Sequence, residues 1–309
     1  MKLLITGANG MLGRSLVNHA QLVGHEIYSP TRNELDLSNR DATLLYLKKH
    51  QPEAIIHTAA RVGGISANIQ NPLPFLTENI QIDSNLLMAA RNTKVSNLIY
   101  IGSSCMYPKN LSHPMKENEI LTGELEPTNE AYALAKIVGS KIAQLTHEID
   151  SLNWRTVVLS NLYGPHDHFE ADRSHVLAAI IAKTFAAKTS QAKSIEMWGD
   201  GTARREFTFV EDVANFLIQS LTNLKMLPSI MNLGTGVDFS IRDYYTFVMS
   251  ELDFKGELIA DLSKPTGMRQ KLMDNSLART YGWKPTTDIH AGIKKTINWY
   301  GQSLNTGNL

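Results

Sequence analysis

The chain has 309 residues, 43% hydrophobic and 19% charged, enough for a sizeable core and, by length, for two domains or one with an appended lobe. Its 30 basic and 30 acidic side chains cancel, which argues against broad nucleic-acid binding and against a polybasic membrane surface. No apolar run approaches the ~18 residues that span a bilayer, Met1–Thr6 is too short for a signal-peptide core, and the single cysteine, Cys105, excludes an intrachain disulfide framework and fits a reducing cytoplasm.

In chain order, Lys2 to Thr6 reads as a short apolar strand ending at Gly7, followed by a helix over Met11–Val23 and a strand over His25–Ser29. Ser38 with Asp41 three residues on signals a capping box for a helix through Lys49. Ala54–His57 is the third strand, a helix runs through about Arg91, and Leu98–Gly102 is the next strand. Tyr132–His147 reads as a helix and Trp154–Leu159 as a strand. Strands alternating with helices of this length predict βαβ crossovers and a parallel sheet covered on both faces. After Gly164 the alternation loosens, and Met231–Gly234 reads as a late strand able to return to the sheet.

The first strand runs directly into Gly7-Ala8-Asn9-Gly10-Met11-Leu12-Gly13, which opens the first helix. Glycines permit a tight turn and close backbone approach, and a helix N-terminus offers free N–H groups to a pyrophosphate. The spacing is GxxGxxG, and its strand-turn-helix setting predicts dinucleotide binding. The predicted fold is therefore α/β, a Rossmann-type doubly wound parallel sheet with a smaller C-terminal substrate-binding lobe. Residues 1–164 form the dinucleotide-binding domain, to which a segment near 206–236 returns, and 165–205 with 237–309 form the lobe. A free ribose 2′-hydroxyl usually meets an acidic residue about 20 positions past the glycines. The second strand instead ends Tyr28-Ser29-Pro30-Thr31-Arg32, so Arg32 is available to a 2′-phosphate and NADP(H) is the better fit than NAD.

Tyr132-Ala133-Leu134-Ala135-Lys136 places a phenol and an ammonium at i and i+4 on one helix face. A nearby ammonium is expected to lower the phenol's pKa and ready it for proton transfer. The pair follows a strand that ends Gly102-Ser103-Ser104, where open α/β sheets place their ligands. From the residues alone, Cys105 reads first as a small buried side chain, and His175 is one of 10 histidines.

The N-terminal GxxGxxG, the strand-end serine and the YxxxK together resemble the extended short-chain dehydrogenase/reductases. Further segments are similar to the GDP-L-fucose synthases within that family, enzymes that epimerise and reduce a GDP-4-keto-6-deoxymannose. They include Val62-Gly63-Gly64-Ile65, Gly102-Ser103-Ser104-Cys105-Met106-Tyr107-Pro108, Leu125-Glu126-Pro127-Thr128-Asn129-Glu130 and Asn161-Leu162-Tyr163-Gly164-Pro165-His166-Asp167. Ser174-His175-Val176, Trp198-Gly199, Arg205-Glu206-Phe207 and Gly282-Trp283 extend the likeness over essentially the whole chain.

The resemblance implies roles residue by residue. Tyr132 would be the acid/base, Ser103 would hold the substrate oxygen, and Lys136 would serve both Tyr132 and the nicotinamide ribose. Cys105 would be the base that removes protons beside the ketone, and His175 the acid that returns them. The cofactor would lie along Gly7, Asn9, Gly10, Met11, Leu12 and Gly13, then Arg32, Asp36 and Leu37. Beyond these it would meet Ile101, Gly102, Ser103, Ser104 and Lys136, and finally Leu159, Asn161, Leu162 and His175. Lys183, Trp198, Arg205, Thr266 and Lys271 would hold the GDP-sugar substrate, although Arg205 also reads as an ion-pair partner of Glu206 or Asp212. Two positions depart from the pattern, Lys183 standing for an arginine and Thr266 for an aspartate.

The resemblance also implies a homodimer built on the Leu73–Arg91 and Tyr132–His147 helices. Competing readings are a C4 reductase of a related GDP-4-keto sugar (heptose or dideoxy sugar), a non-catalytic NADP-binding module, and an epimerase or dehydratase that recycles NAD. Intact Ser103, Tyr132 and Lys136, with Cys105 and His175 both present, favour the bifunctional enzyme.

Overall fold

The first strand, Lys2–Thr6 (β1), is buried along almost its whole length and lies inside a six-stranded sheet. The computed structural model describes residues 1–170, 174–264 and 268–306. After β1 come Met11–Leu22 (α1), Glu26–Tyr28 (β2), Arg40–His50 (α2), Ala54–His57 (β3), Ile65–Gln70 (α3) and Pro72–Asn92 (α4). Asn97–Ser103 (β4), Glu130–Asp150 (α5), Asn153–Leu159 (β5), Asn161–Tyr163 (β6), Val176–Thr189 (α6) and Ser194–Trp198 (β7) follow. Then come Arg204–Arg205 (β8), Phe207–Phe209 (β9), Val210–Ser220 (α7), Ile230–Leu233 (β10), Phe239–Ser240 (β11) and Ile241–Glu251 (α8). The last elements are Glu257–Asp261 (β12), Gln270–Lys271 (β13), Ser276–Thr280 (α9) and Ile289–Thr306 (α10).

The main sheet has the order β10-β5-β4-β3-β1-β2, and every pairing in it is parallel. Its inner strands are buried on both faces, as the continuous apolar runs of β3 and β4 require. Successive residues of β1 divide between the faces. Leu3 and Ile5 pack with α1 and α7, while Leu4 packs with α2, α4 and α5 on the other side. The strand order reverses between β1 and β3, so a crevice opens outside their carboxyl ends, the usual ligand position in such sheets.

The late strand does return to the sheet, where β10 pairs with β5 at the edge. A second apolar cluster gathers Tyr163, Phe207 and Phe209 with residues of α6, α8 and α10. Two local expectations are corrected. The cap of α2 is Asn39, whose side chain accepts from Ala42 N, because Ser38 N is already taken by Asp36 Oδ1 at 2.9 Å. The helix before Arg91 is two helices, broken at Asn71 because Pro72 disfavours a helical residue before it. Among the described residues, no helix is long and apolar enough to cross a membrane.

Glu206 ties the late segments together. Only 1% exposed, its carboxylate accepts from Gly236 N at 2.7 Å and from Met273 N at 3.0 Å. This holds β13 parallel to β8, with Lys271 opposite Arg205. Burial raises the Glu206 carboxyl to about 7, against the pull of these backbone donors. The folded chain therefore keeps a proton that the unfolded chain has released, and this group makes stability fall as pH rises from about 4.5 to 7. Glu206→Gln is expected to flatten that fall, by on the order of 3 kcal/mol between the two ends. Denaturant titrations of both proteins at pH 5 and pH 8 check it; parallel pH profiles would remove Glu206 as the cause.

Candidate active site

The loop between β1 and α1 is shaped by close approach. Gly7 has φ +68°, and a Cβ there would lie 2.7 Å from the Ala59 backbone nitrogen after β3. Gly10 N donates to Gly7 O at 3.0 Å, and Gly13 packs against the same turn. The N-cap of α1 is Gly10, with no side chain to satisfy the first N–H groups of the helix. This Cβ-free cradle at an uncapped helix start fits the pyrophosphate of a dinucleotide. The backbone carries the fit, since Leu12 turns into the core with Met11 packed against it, and Asn9 O accepts from Arg14 Nε. Beyond β2, Arg32 is exposed, and among the described residues no carboxylate lies within 4.0 Å of it. Asp36 accepts from Ser38 N, which holds its carboxyl below the usual range, and Leu37 is buried.

At the carboxyl edge, Ile101, Gly102 and Ser103 of β4 lie beside Val157, Val158 and Leu159 of β5. Asn161 and Leu162 continue on β6, where Asn161 Nδ2 donates to Glu206 O. The chain turns sharply through Ser104–Met106, and Ser103 Oγ accepts from Cys105 N at 3.3 Å. The opposing helix α5 brings Tyr132 and Lys136 to this strand end. Burial pushes the Tyr132 phenol well above the ordinary range, aided by Cys105 and Asp83 and opposed by Ser103 beside it. The expected lowering of Tyr132 is therefore corrected. Burial outweighs any ammonium effect, and the ammonium of Lys136 sits 3.9 Å from Asp83 Oδ2 and 4.8 Å from the centre of the Tyr100 ring. The phenol is thereby kept protonated.

Cys105 is half-buried, with two donors on its sulfur: Asn129 Nδ2 at 3.1 Å and Lys271 Nζ at 3.3 Å. Lys271 comes from β13, opposite Arg205 on β8, and its ammonium reaches the thiol. His175 is the N-cap of α6, and its Nδ1 lies 3.8 Å from Asp167 Oδ1, an electrostatic contact rather than a full hydrogen bond. The buried Asp167 carboxylate raises the His175 pKa, against the opposing effect of burial, and so favours the imidazolium. Trp198, at the end of β7, is half-exposed, with Lys183 and Lys264 ammoniums 5.2 and 5.6 Å from its ring centre. Arg205 pairs with no carboxylate within 4.0 Å among the described residues. It donates to the carbonyls of Arg204 and Met268, both at 2.7 Å. Thr266 lies outside the described residues.

The sequence reading missed Asn129, Asp167, Lys264 and the buried group Asp83, His57 and Tyr100. Asn129 and Asp167 stand inside segments whose resemblance was already visible. Asp83 had no such signal, since an acidic residue in a long helix reads as solvent-facing.

A glycine cradle at the crevice of a parallel sheet, facing a serine, tyrosine and lysine at the same edge, defines a Rossmann-type dinucleotide-dependent enzyme. The chain belongs to the NAD dependent epimerase/dehydratase family, whose description matches residues 3–234. It is 44% identical over 301 residues to a GDP-L-colitose synthase of Yersinia pseudotuberculosis, covering 97% of this chain and 98% of that one. It is equally 44% identical over 299 residues to a GDP-L-fucose synthase of Azorhizobium caulinodans, covering 97% and 96%. Among solved structures it is similar to a GDP-mannoheptose C4 reductase from Campylobacter jejuni with NADP bound. That match has a TM-score of 0.88 at 33% identity, covering 97% of this chain and 98% of that one.

Proposed function

We propose that this protein is an NADPH-dependent GDP-4-keto-6-deoxy-D-mannose 3,5-epimerase/4-reductase that forms GDP-L-fucose. One observation carries the reading: a sulfur with two donors stands at the same strand end as a protonated phenol. A bare ketone reductase needs only the phenol. The names of the relatives support a GDP-sugar substrate, and the solved relative with NADP supports the phosphorylated dinucleotide.

In this reading the 4-keto oxygen meets Ser103 and Tyr132. The Cys105 thiolate takes the proton beside the ketone, the C–H bond breaks, and its electron pair moves into an enolate on the C4 oxygen. Lys271 and Asn129 donate to the Cys105 sulfur and hold it in place. His175, kept protonated by Asp167, returns a proton to the opposite face, and solvent restores both groups. Once at C5 and once at C3, this inverts both centres. NADPH, when bound, supplies hydride to C4. Tyr132 gives its proton to the C4 oxygen, while Lys136 holds the ribose. Lys183, Trp198 and Arg205 would take the GDP portion, Arg205 from a strand whose backbone is already fixed by Lys271. Exposed apolar side chains on α4 and α5, among them Met88, Val138 and Ile149, support a homodimer through these helices.

Cys105→Ser is expected to abolish deuterium incorporation at C3 and C5 in D₂O without NADPH. Tyr132→Phe should instead slow C4 reduction by roughly 10² to 10⁴-fold while exchange persists. Product NMR with GDP-4-keto-6-deoxymannose reads both, and a wild-type enzyme that reduces without exchange would make this protein a C4 reductase only. Arg32→Ala should weaken NADPH about ten- to a hundredfold and leave NADH unchanged, because one charge-assisted contact to the 2′-phosphate is lost. Fluorescence titration of both cofactors decides this, and equal losses would remove Arg32 from the cofactor site. Sedimentation equilibrium should return twice the mass of one chain, and Ile149→Glu should lower it. A wild-type mass of one chain would overturn the dimer.

A further inference from the structure

Behind the catalytic pair lies a closed set of polar groups that neither the fold nor the proposed chemistry requires by itself. His57 ends β3, Asp83 sits mid-way along α4, and Tyr100 lies on β4; all three are 0% exposed, and Lys136 is 2% exposed. His57 Nε2 lies 3.0 Å from Asp83 Oδ1, Tyr100 Oη donates to Asp83 Oδ2 at 2.5 Å, and Lys136 Nζ lies 3.9 Å from that same oxygen. On its other side His57 Nδ1 is 2.7 Å from Thr6 Oγ1, the residue before Gly7.

The protonation pattern follows from the geometry. A carboxylate only accepts, so His57 Nε2 carries the hydrogen, Nδ1 accepts, and the Thr6 hydroxyl donates to it. Burial keeps His57 below its ordinary pKa despite the Asp83 contact, so the ring is neutral. Burial also presses Asp83 upward, but Lys136, His57 and Tyr100 together hold it below the usual carboxylate range. One negative charge, with two neutral donors on it, is therefore left facing one ammonium in a dry space.

Room for this arrangement is made by α5. A Cβ at Gly139, one turn beyond Lys136, would lie 2.3 Å from Tyr100 Oη and 2.8 Å from Asp83 Oδ2. A glycine inside a helix costs stability, and here any side chain would collide with the Asp83 carboxylate and with the Tyr100 hydroxyl that donates to it.

We propose that Asp83 is the buried counter-charge of Lys136 and a positioning residue of the active site, seated by His57 and Tyr100 and given room by Gly139. Its consequence for catalysis rests on the reading of Tyr132 and Lys136 above. A lysine out of water without a partner discharges readily, and burial does pull Lys136 below its ordinary range, with Asp83 opposing. The charged or titratable groups around the ammonium are Asp83 from α4, Tyr100 from β4, His57 from β3 and Tyr132 on its own helix. Asp83 is the only one of them that carries a charge at neutral pH. It also raises the Tyr132 phenol, so its charge keeps both members of the pair protonated. Through Thr6, the same network attaches the catalytic lysine to the phosphate loop.

The test is Asp83→Asn, which keeps the shape and removes the charge. Lys136 is followed by side-chain NMR in the cofactor-free protein with labelled lysine, its signal assigned by loss in Lys136→Met. Its titration midpoint should fall by about one unit or more in Asp83→Asn, and the alkaline limb of the C4 reduction profile should move to lower pH in step. An unmoved Lys136 midpoint would overturn the proposal. A shifted midpoint in a protein that never reduces the ketone would instead overturn the reductase reading and leave the pair standing. Should Asp83→Asn not fold, Lys136→Met is added to it. Recovery of a cooperative melt supports the charge pair, because an unpaired buried ammonium is then absent; no recovery overturns it.

Discussion

The closeness of α5 to β4 is the constraint on which the site depends. Along this contact the helix presents Gly139, where a Cβ would meet the Tyr100 hydroxyl of the strand. A helix seated that near brings Tyr132 to Ser103 at the strand end and sinks Lys136 against the Tyr100 ring. Lys136 is buried as a result, and Tyr132 partly so. Burial keeps the phenol protonated, and it makes the lysine need a counter-charge, which α4 provides as Asp83. The geometry of this pair and its electrostatics thus arise from one packing decision.

The other half of the chemistry reaches the same place along a different route. Cys105 belongs to the turn after β4, yet its sulfur is addressed by Lys271, which lies far along the chain on β13. That strand stays where it is because β8 pairs with it and because the buried Glu206 carboxylate accepts from Met273 N. A site assembled from the sheet edge and from later segments in this way lets the two polar systems sit side by side. One is a protonated phenol with a buried lysine one turn along its helix. The other is a sulfur with two donors, which is suited to proton removal.

In the later segments, His175 stands beside Asp167, and Trp198 carries the Lys183 and Lys264 ammoniums near its ring. A carboxylate behind an imidazole favours its protonated form, whereas two ammoniums over an indole face favour an anionic or aromatic ligand.

Much of the sheet was legible in the sequence, because parallel strands are apolar on both faces and the helices between them repeat at the helical period. Lys2–Thr6 and Ala54–His57 were read with the bounds they have, and the glycine loop announced itself because only glycine tolerates φ +68° against the Ala59 backbone. Tyr132 and Lys136 were legible for a local reason too: four residues apart on a helix is one face. The boundaries that went wrong did so where a side chain made a competing local bond, as Asp36 does with Ser38, or where Pro72 broke a helix that the apolar pattern carried through. What only the tertiary structure decided is everything set by burial and by contacts distant in sequence. The phenol rises rather than falls because partial burial, with Cys105 and Asp83 beside it, disfavours its charged form. Lys271 meets Cys105 across 166 positions. Asp83 turns inward because His57, Tyr100 and Lys136 wait for it there. No spacing along the chain encodes these facts, since the dielectric around a charge and the identity of its partner exist only once the helices have packed.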